Sequence, residues 1–279
     1  AHRLQEGRLG GRHLDADRHP PGEGQARALG VDQDEPVAAP PGNHPRELRP
    51  PHQGGVAGDG LAPRFDTQMQ VDLNVDGKVD TIRFNKPPLE IAARSAGGRE
   101  FRMIGVHMKS KANHGNGNGA DASRIAVANR REQLAQCLWL RARVLEHLRA
   151  GESLLVLGDL NDGPGLDEYE KLFGRSGVEI VMGWDEPRNE RLFDPHARAA
   201  LGARLAAAPA TARFYLPESE QYFSAMLDYI MVSPDLRASR PRWRIWHPFD
   251  DPACYRDAQL REALLVASDH FPVSIDLAL

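Results

Sequence analysis

The sequence predicts an α/β domain, and three stretches predict it. Leu154–Gly158 is an uncharged run, apolar in its first four residues and bounded by turn formers, which reads as a strand buried on both faces. From about Asp121 to Ala150, Leu134, Leu138, Val144, Leu145 and Leu148 give a core stripe at helical spacing, with Asp121 or Ser123 as cap and Gly151 as stop. Upstream of that helix, Phe101–Ser110 reads as a further strand. Strand, helix and strand in this order make a crossover unit, the connection that parallel neighbours need.

Composition divides the chain before any other element is placed. Residues 1–64 hold six Leu and three Val but no Ile, Phe, Tyr or Trp, together with eleven Gly and nine Pro. So little apolar surface cannot repay the entropy of ordering the segment, and Pro pairs at 20–21, 40–41 and 50–51 break helices and strands. Ser, Lys, Thr, Met and Cys are also missing, and every residue except Asn43 has a codon beginning with C or G. A GC-rich gene read out of frame gives this pattern, because its wobble position becomes the first codon position. Normal usage returns at Phe65. Residues 1–64 are therefore expected to be a disordered or frameshifted, non-native segment, lost early to protease, and 65–279 to be the domain.

Over its 279 residues the chain has a net charge of −4 and a pI of about 6.3, so any contact with nucleic acid must be local. Two cysteines, Cys137 and Cys254, do not make a disulfide framework. No apolar run approaches the ~18 residues of a membrane span. The opening residues have no signal-peptide pattern, the native start can lie outside this sequence, and the cytoplasm is the expected compartment.

The remaining elements follow in order. Val71–Asp80 alternates, turns at Asp76-Gly77 and resumes, as a β-hairpin does; its oxygens also match most of a calcium loop, but Arg83 stands where that loop needs a bidentate Glu. Phe84–Ala92 is a strand begun by Pro87-Pro88. Within Phe101–Ser110, His107 and Lys109 share one face at period two, ahead of a Gly- and Asn-rich loop at 112–119. Leu166–Leu172 reads as a short helix, and Arg198–Ala210 is Ala-rich and can be helical. Ala225–Val232 is an apolar strand interrupted by Asp228, a charge that must be paired there. Leu264–Val273 puts Asp269 and His270 between apolar runs, and Ser274–Leu277 is a last strand. Arg240, Arg242, Trp243, Arg244 and Trp246 form either a patch that grips nucleic acid or an amphipathic strand at the domain's edge.

The chemistry starts after the Leu154 strand. Asp159 and Asn161, two apart on an extended chain, point the same way, and Gly163-Pro164-Gly165 ends the strand. An acid and an amide side by side at a sheet edge suit holding a metal, a water or a phosphate, although Asp-Leu-Asn-Asp-Gly is also ordinary turn chemistry.

Gly-Asp-Leu-Asn at 158–161, Leu-Asp-Tyr-Ile at 227–230 and Ser-Asp-His at 268–270 resemble, in order and spacing, motifs of the endonuclease/exonuclease/phosphatase superfamily. Val-His-Met-Lys-Ser at 106–110 looks like its histidine strand and Lys-Pro-Pro-Leu at 86–89 like the strand before it. The resemblance covers residues 65–279. It implies a DNase I-like four-layer α-β-β-α sandwich of two mixed sheets, without its usual N-terminal strands, cleaving phosphoester bonds with Mg²⁺ or Mn²⁺. By the same resemblance Asp159 orients or deprotonates the attacking water and, with Asp269, binds metal. Asn161 and Lys109 hold the phosphate, His270 stabilises its developing charge, Asp228 holds and charges His270, and His107 contacts phosphate or protonates the leaving group. These side chains should meet in one cleft, with Asp228 hydrogen-bonded to His270. The family's metal-binding Glu has no counterpart on a strand here; Leu4-Gln5-Glu6 has its letters without an apolar strand before them, and Glu6 is read as coincidence.

The expected activity is a metal-dependent nuclease, endonuclease or exonuclease, acting as a monomer on nucleic acid. The alternatives are a phosphomonoesterase or lipid phosphodiesterase with the same core, and a catalytically impaired, frameshifted remnant.

Overall fold

The structure is a computed structural model, which describes residues 64–65, 67–71, 79–111, 120–163, 174–202, 208–217 and 219–279. All described residues belong to one compact unit, Pro45–Leu279. The expected disorder of 1–63, the turn and calcium-like loop at 72–78, the 112–119 loop, the short helix at 166–172 and Glu6 lie outside the described residues.

The main sheet has five strands: β1 (Arg64–Phe65), β4 (Leu89–Arg94), β5 (Glu100–His107), β6 (Leu154–Asp159) and β9 (Asp228–Val232), side by side in that order. β5 and β6 run parallel, joined by helix α1 (Ala120–Arg149); the other pairings are antiparallel. The crossover unit read from the sequence is thus present, and the fold is an α/β sandwich with mixed pairing. Three two-stranded sheets complete the described strands: β2 (Gln68–Val71) with β3 (Asp80–Arg83), β7 (Ala212–Leu216) with β8 (Gln221–Ala225), and β10 (Arg242–Ile245) with β11 (Val273–Asp276).

β6 is apolar over Leu154–Leu157 because both its faces are covered there. Leu154 and Val156 pack with Ile104, Val106 and Met231 against Cys137, Leu140 and Val144 of α1. Leu155, on the other face, packs with Ile230 and Val232 against Trp243, Val273 and Ile275 of β10 and β11. Helix, larger sheet and smaller sheet therefore stack as layers, as alternation of side chains along a doubly covered strand requires. Both cysteines are free and buried.

The buried stripe of α1 differs from the leucine stripe read from the sequence. It runs through Arg130, Gln133, Cys137, Leu140, Val144 and His147, while Leu134, Leu138, Leu145 and Leu148 are only half-buried. A sequence reading assigns Arg, Gln and His to the outside, but a buried polar side chain is tolerated when its partners are supplied. Here they are. Glu90 of β4 receives a bidentate pair from Arg143, at 2.6 and 2.7 Å, and a third contact from His147 at 3.0 Å. Burial alone would raise the Glu90 carboxyl; the hydrogen bonds and charges of Arg143 and His147 outweigh it and hold the pKa down at about 2. A depressed pKa adds stability that is full above the ordinary carboxylate value and is lost as pH falls through the folded one. Stability should therefore decline between about pH 4.5 and 2, by up to ~3 kcal/mol from this group. Glu90→Gln should flatten that limb in urea titrations at successive pH values.

The other helices are short: α2 (Gly177–Met182), α3 (Pro195–Gly202), α4 (Pro234–Ala238), α5 (Pro252–Arg256) and α6 (Ala258–Ala267). α2 begins with a capping box, Ser176 with Glu179, and ends at Gly183 in the left-handed region. α3 covers the first part of the Ala-rich stretch. The apolar run just before Asp269 is the end of α6, and the Asp257 side chain caps that helix by accepting from the Gln259 and Leu260 N–H groups. The expected strand over Ala225–Val232 is two strands, β8 ending at Ala225 and β9 beginning at Asp228.

Candidate active site

Three strand ends bring three ionisable side chains into one row. In the parallel pairing His107 is opposite Asp159, and in the antiparallel pairing Asp159 is opposite Asp228. Residues opposed in register share a sheet face. The row exists because β6 is central and reaches its last residue where β5 ends and β9 begins. Gly158 makes that register possible. Its φ is +129°, and a side chain there would collide with the Val106 carbonyl oxygen of the neighbouring strand. Gly158→Ala should destabilise the protein by more than ~1 kcal/mol, read as a lower denaturation midpoint.

Asp159 and Asn161 do meet, but not by strand alternation. β6 stops at Asp159, and Asn161 lies in the left-handed region at φ 48°. Its backbone N–H donates to Asp159 Oδ1 at 2.7 Å, and its side-chain amide to Asp159 Oδ2 at 2.9 Å and the Met108 carbonyl at 3.0 Å. The turn chemistry of Asp-Leu-Asn and the fixed carboxylate are thus the same object.

His270 joins the row from the last segment, which β7 pins in place: Phe271 N–H donates to the Thr211 carbonyl at 2.7 Å and Arg213 N–H to that of Asp269 at 2.8 Å. His270 Nδ1 is 2.8 Å from Asp228 Oδ2. Thr211 holds the same carboxylate: its hydroxyl donates to Asp228 Oδ2 at 2.8 Å and accepts from the Leu227 and Asp228 N–H groups at 3.0 and 2.9 Å. Phe214 stands edge-on to the imidazole, with centroids 5.6 Å apart.

Charge follows from this packing. Burial pushes the Asp159 carboxyl up to about 6, and the neighbouring Asp228 carboxylate adds to the rise, against the Asn161 N–H bond. The hydrogen bond to Asp228 raises His270, whereas burial and the Lys86 ammonium lower His107. Two carboxylates facing each other across strands repel, which is a standing invitation to a cation. Ligand atoms of Asp159, Asp228 and His270 lie within 4.8 Å of one another, close enough for one metal ion.

Asp269 is not in that group. It is exposed, and its carboxylate meets Ser268 Oγ at 3.5 Å. Its charge nonetheless helps to raise His270, so it lies near the imidazole. His107 and Lys109 do not share a face. β5 ends at His107, and the Lys109 ammonium is 3.9 Å from Glu132 Oε2 on α1. The cation beside His107 is Lys86, with Nζ 2.6 Å from Nε2. Thr211 and Lys86 were missed by the sequence reading; Lys86 had a signal, its place in the Lys-Pro-Pro-Leu motif, and Thr211 had none. The Arg240–Trp246 stretch is the edge strand β10: Trp243 packs between the sheets and donates to the Ile230 carbonyl at 2.8 Å, and Arg244 pairs with Asp251 at 2.8 Å.

Behind the site lies a buried ionic cluster. Asp162 accepts from Arg130 at 2.8 Å, from Lys111 at 2.6 Å and from Gly177 N–H, and neither Arg130 nor Asp162 has an exposed side chain. Gln133 donates to the carbonyls of Lys109, Leu160 and Asn161 at 3.0, 3.1 and 2.8 Å. One side chain of α1 thereby ties the segments that leave β5 and β6.

The family model described as Endonuclease/Exonuclease/phosphatase family matches residues 11–270. The match begins well before residue 65, where the motif resemblance starts, and takes in most of the segment that composition sets apart. No curated protein matches the chain. Among solved structures, the human Nocturnin catalytic domain with bound sulfate is 17% identical, with 77% of this chain and 60% of that one covered and a TM-score of 0.35. The Xenopus laevis APE2 catalytic domain is 14% identical over 68% of this chain and 55% of that one, with a TM-score of 0.39. An endonuclease/exonuclease/phosphatase from Beutenbergia cavernae is 18% identical over 77% and 45%, with a TM-score of 0.35. The chain thus spans less than two thirds of the length of each of these structures.

Proposed function

Because the chain belongs to the endonuclease/exonuclease/phosphatase family, whose members hydrolyse phosphoesters, we propose that it cleaves phosphodiester bonds of nucleic acid by attack of a positioned water. The observation that supports this reading is the Asp228–His270 pair set against Asp159 at the ends of three strands. Asp159, with a pKa near neutrality, accepts the proton of the attacking water. Asp228 and Thr211 fix the His270 ring, and the raised proton affinity of His270 favours its cationic form toward the anionic phosphate. His107 is lowered, which favours contact with a phosphate oxygen over donation of a proton to the leaving group. Asn161 holds Asp159 in place rather than reaching outward, since its amide donors are used on Asp159 and Met108.

The donor set fits Mg²⁺ or Mn²⁺, which are commonly held by one or two carboxylates, waters and substrate phosphate oxygens. Asp159 and Asp228 would hold the ion, which would neutralise phosphate charge and lower the pKa of bound water. Incubating the full chain with a labelled oligonucleotide tests the reading: cleavage should stop with EDTA and return with excess Mg²⁺ or Mn²⁺. Cleavage that resists the chelator would refute the metal role.

The composition of residues 1–64 favours one second reading, a chain whose first segment is frameshifted and supplies no metal-binding glutamate. Such a chain would bind phosphate without turning it over, and metal titration would not restore cleavage.

A further inference from the structure

We propose that Lys86 is a phosphate ligand of this site, its ammonium releasing His107 to take a non-bridging oxygen of the ester. The inference rests on the function proposed above and adds a residue to it.

Three lysines approach the strand ends, and their charges are met differently. Lys109 faces Glu132 at 3.9 Å, and Lys111 faces the buried Asp162 at 2.6 Å. Lys86 meets only an imidazole, at 2.6 Å from Nε2 and 3.0 Å from Nδ1, and forms no ion pair with a carboxylate among the described residues. The contact gives the ammonium a ring nitrogen and no carboxylate oxygen. An ammonium so placed keeps its charge for an incoming anion, and an anionic oxygen is a far better acceptor than imidazole.

Its position is set in advance. Phe84, two residues before, is buried edge-on to Trp139 at 5.3 Å, and its N–H donates to the Thr67 carbonyl at 3.0 Å. Pro87 and Pro88 follow with fixed φ, and Pro88 is buried. The backbone is anchored on both sides, so only the Lys86 side chain must move. His107 Nε2 also lies 3.4 Å from Asp159 Oδ2, which puts Lys86 and Asp159 on the same ring. A phosphate that displaces the ring contact would find the lysine on one side and the carboxylate that positions water on the other. Lysine serves here as a point charge, which arginine can replace and a neutral isostere cannot.

The test is calorimetric binding of inorganic phosphate to the full chain in EDTA, for the parent, Lys86→Met, Lys86→Arg and Asp159→Asn. Lys86→Met should weaken phosphate about tenfold or more and flatten its dependence on salt, while Lys86→Arg should stay within about threefold of the parent. Lys86 is exposed, so thermal midpoints should not move. Equal phosphate affinity in the parent and Lys86→Met, or no binding by the parent, would overturn the proposal. Hydrolysis is scored separately: if Asp159→Asn cleaves as well as the parent, the proposed function fails, whatever phosphate binding shows.

Discussion

Replacing His270 with alanine should lower kcat on an oligonucleotide by about 10²–10⁴-fold while changing KM little. The reason is where its charge acts. His270 is held 2.8 Å from Asp228, which in turn is fixed by the Thr211 hydroxyl, so the imidazolium is oriented before substrate arrives. A preoriented charge favours the state in which phosphate charge is greatest, and its loss is a loss of transition-state stabilisation. Asp159→Ala should cost a comparable factor, since it removes the acceptor of the water's proton. Asp228→Asn should cost less at saturating Mg²⁺, because the amide can still touch the ring and excess metal offsets the weaker oxygen ligand, while the Mg²⁺ concentration needed should rise. The three variants must be compared at saturating Mg²⁺. Equal kcat in His270→Ala and the parent would remove the histidine from the chemistry.

Asp162→Ala should be the most destabilising single change, by ~3–5 kcal/mol, because it strands a fully buried guanidinium. Among the contacts that Arg130 keeps are those to Gln133 and the Arg175 carbonyl, which carry no charge. Lys111 and the Gly177 N–H lose the same acceptor. Guanidinium chloride midpoints measure the loss, and the double variant Arg130→Leu with Asp162→Leu should recover part of it, since an apolar pair of this kind does not leave a charge unmatched. A midpoint unchanged in Asp162→Ala would show that water already reaches the cluster.

What the sequence made legible was the part governed by local rules. β6 was plain because four apolar residues before a Gly-Asp turn leave few alternatives, and α1 because thirty residues without Pro or Gly follow one period. The strand β4 followed from the Pro pair, whereas β2 and β3 lie almost wholly outside the Val71–Asp80 hairpin and meet it only at its two end residues. The site was legible as letters and less so as geometry. Asp159, Asn161, His107, Asp228 and His270 do meet, yet Lys109 is directed to Glu132, because β5 ends at His107 and alternation cannot be carried past that residue. Arg130 and Gln133 gave no signal in the sequence, since a helix position shows its burial only through partners tens of residues away. Thr211 was invisible for the same reason: its role comes from β7 lying across the start of β9.

Cys137 gives this architecture a built-in clock. Its thiol, on the face of α1 that covers β6, has no exposed surface, and burial pushes its pKa up to about 12. Alkylating reagents attack thiolate that they can reach, so the folded chain offers them neither. Modification at Cys137 then proceeds only as fast as the helix lifts from the sheet, and its rate reports the opening free energy of that layer when closing is fast. Cys254, buried on α5, times a different door, at the flank of the smaller sheet. Mass spectrometry of one alkylation series, read at the two peptides, would tell whether the layers of this sandwich part together or one at a time.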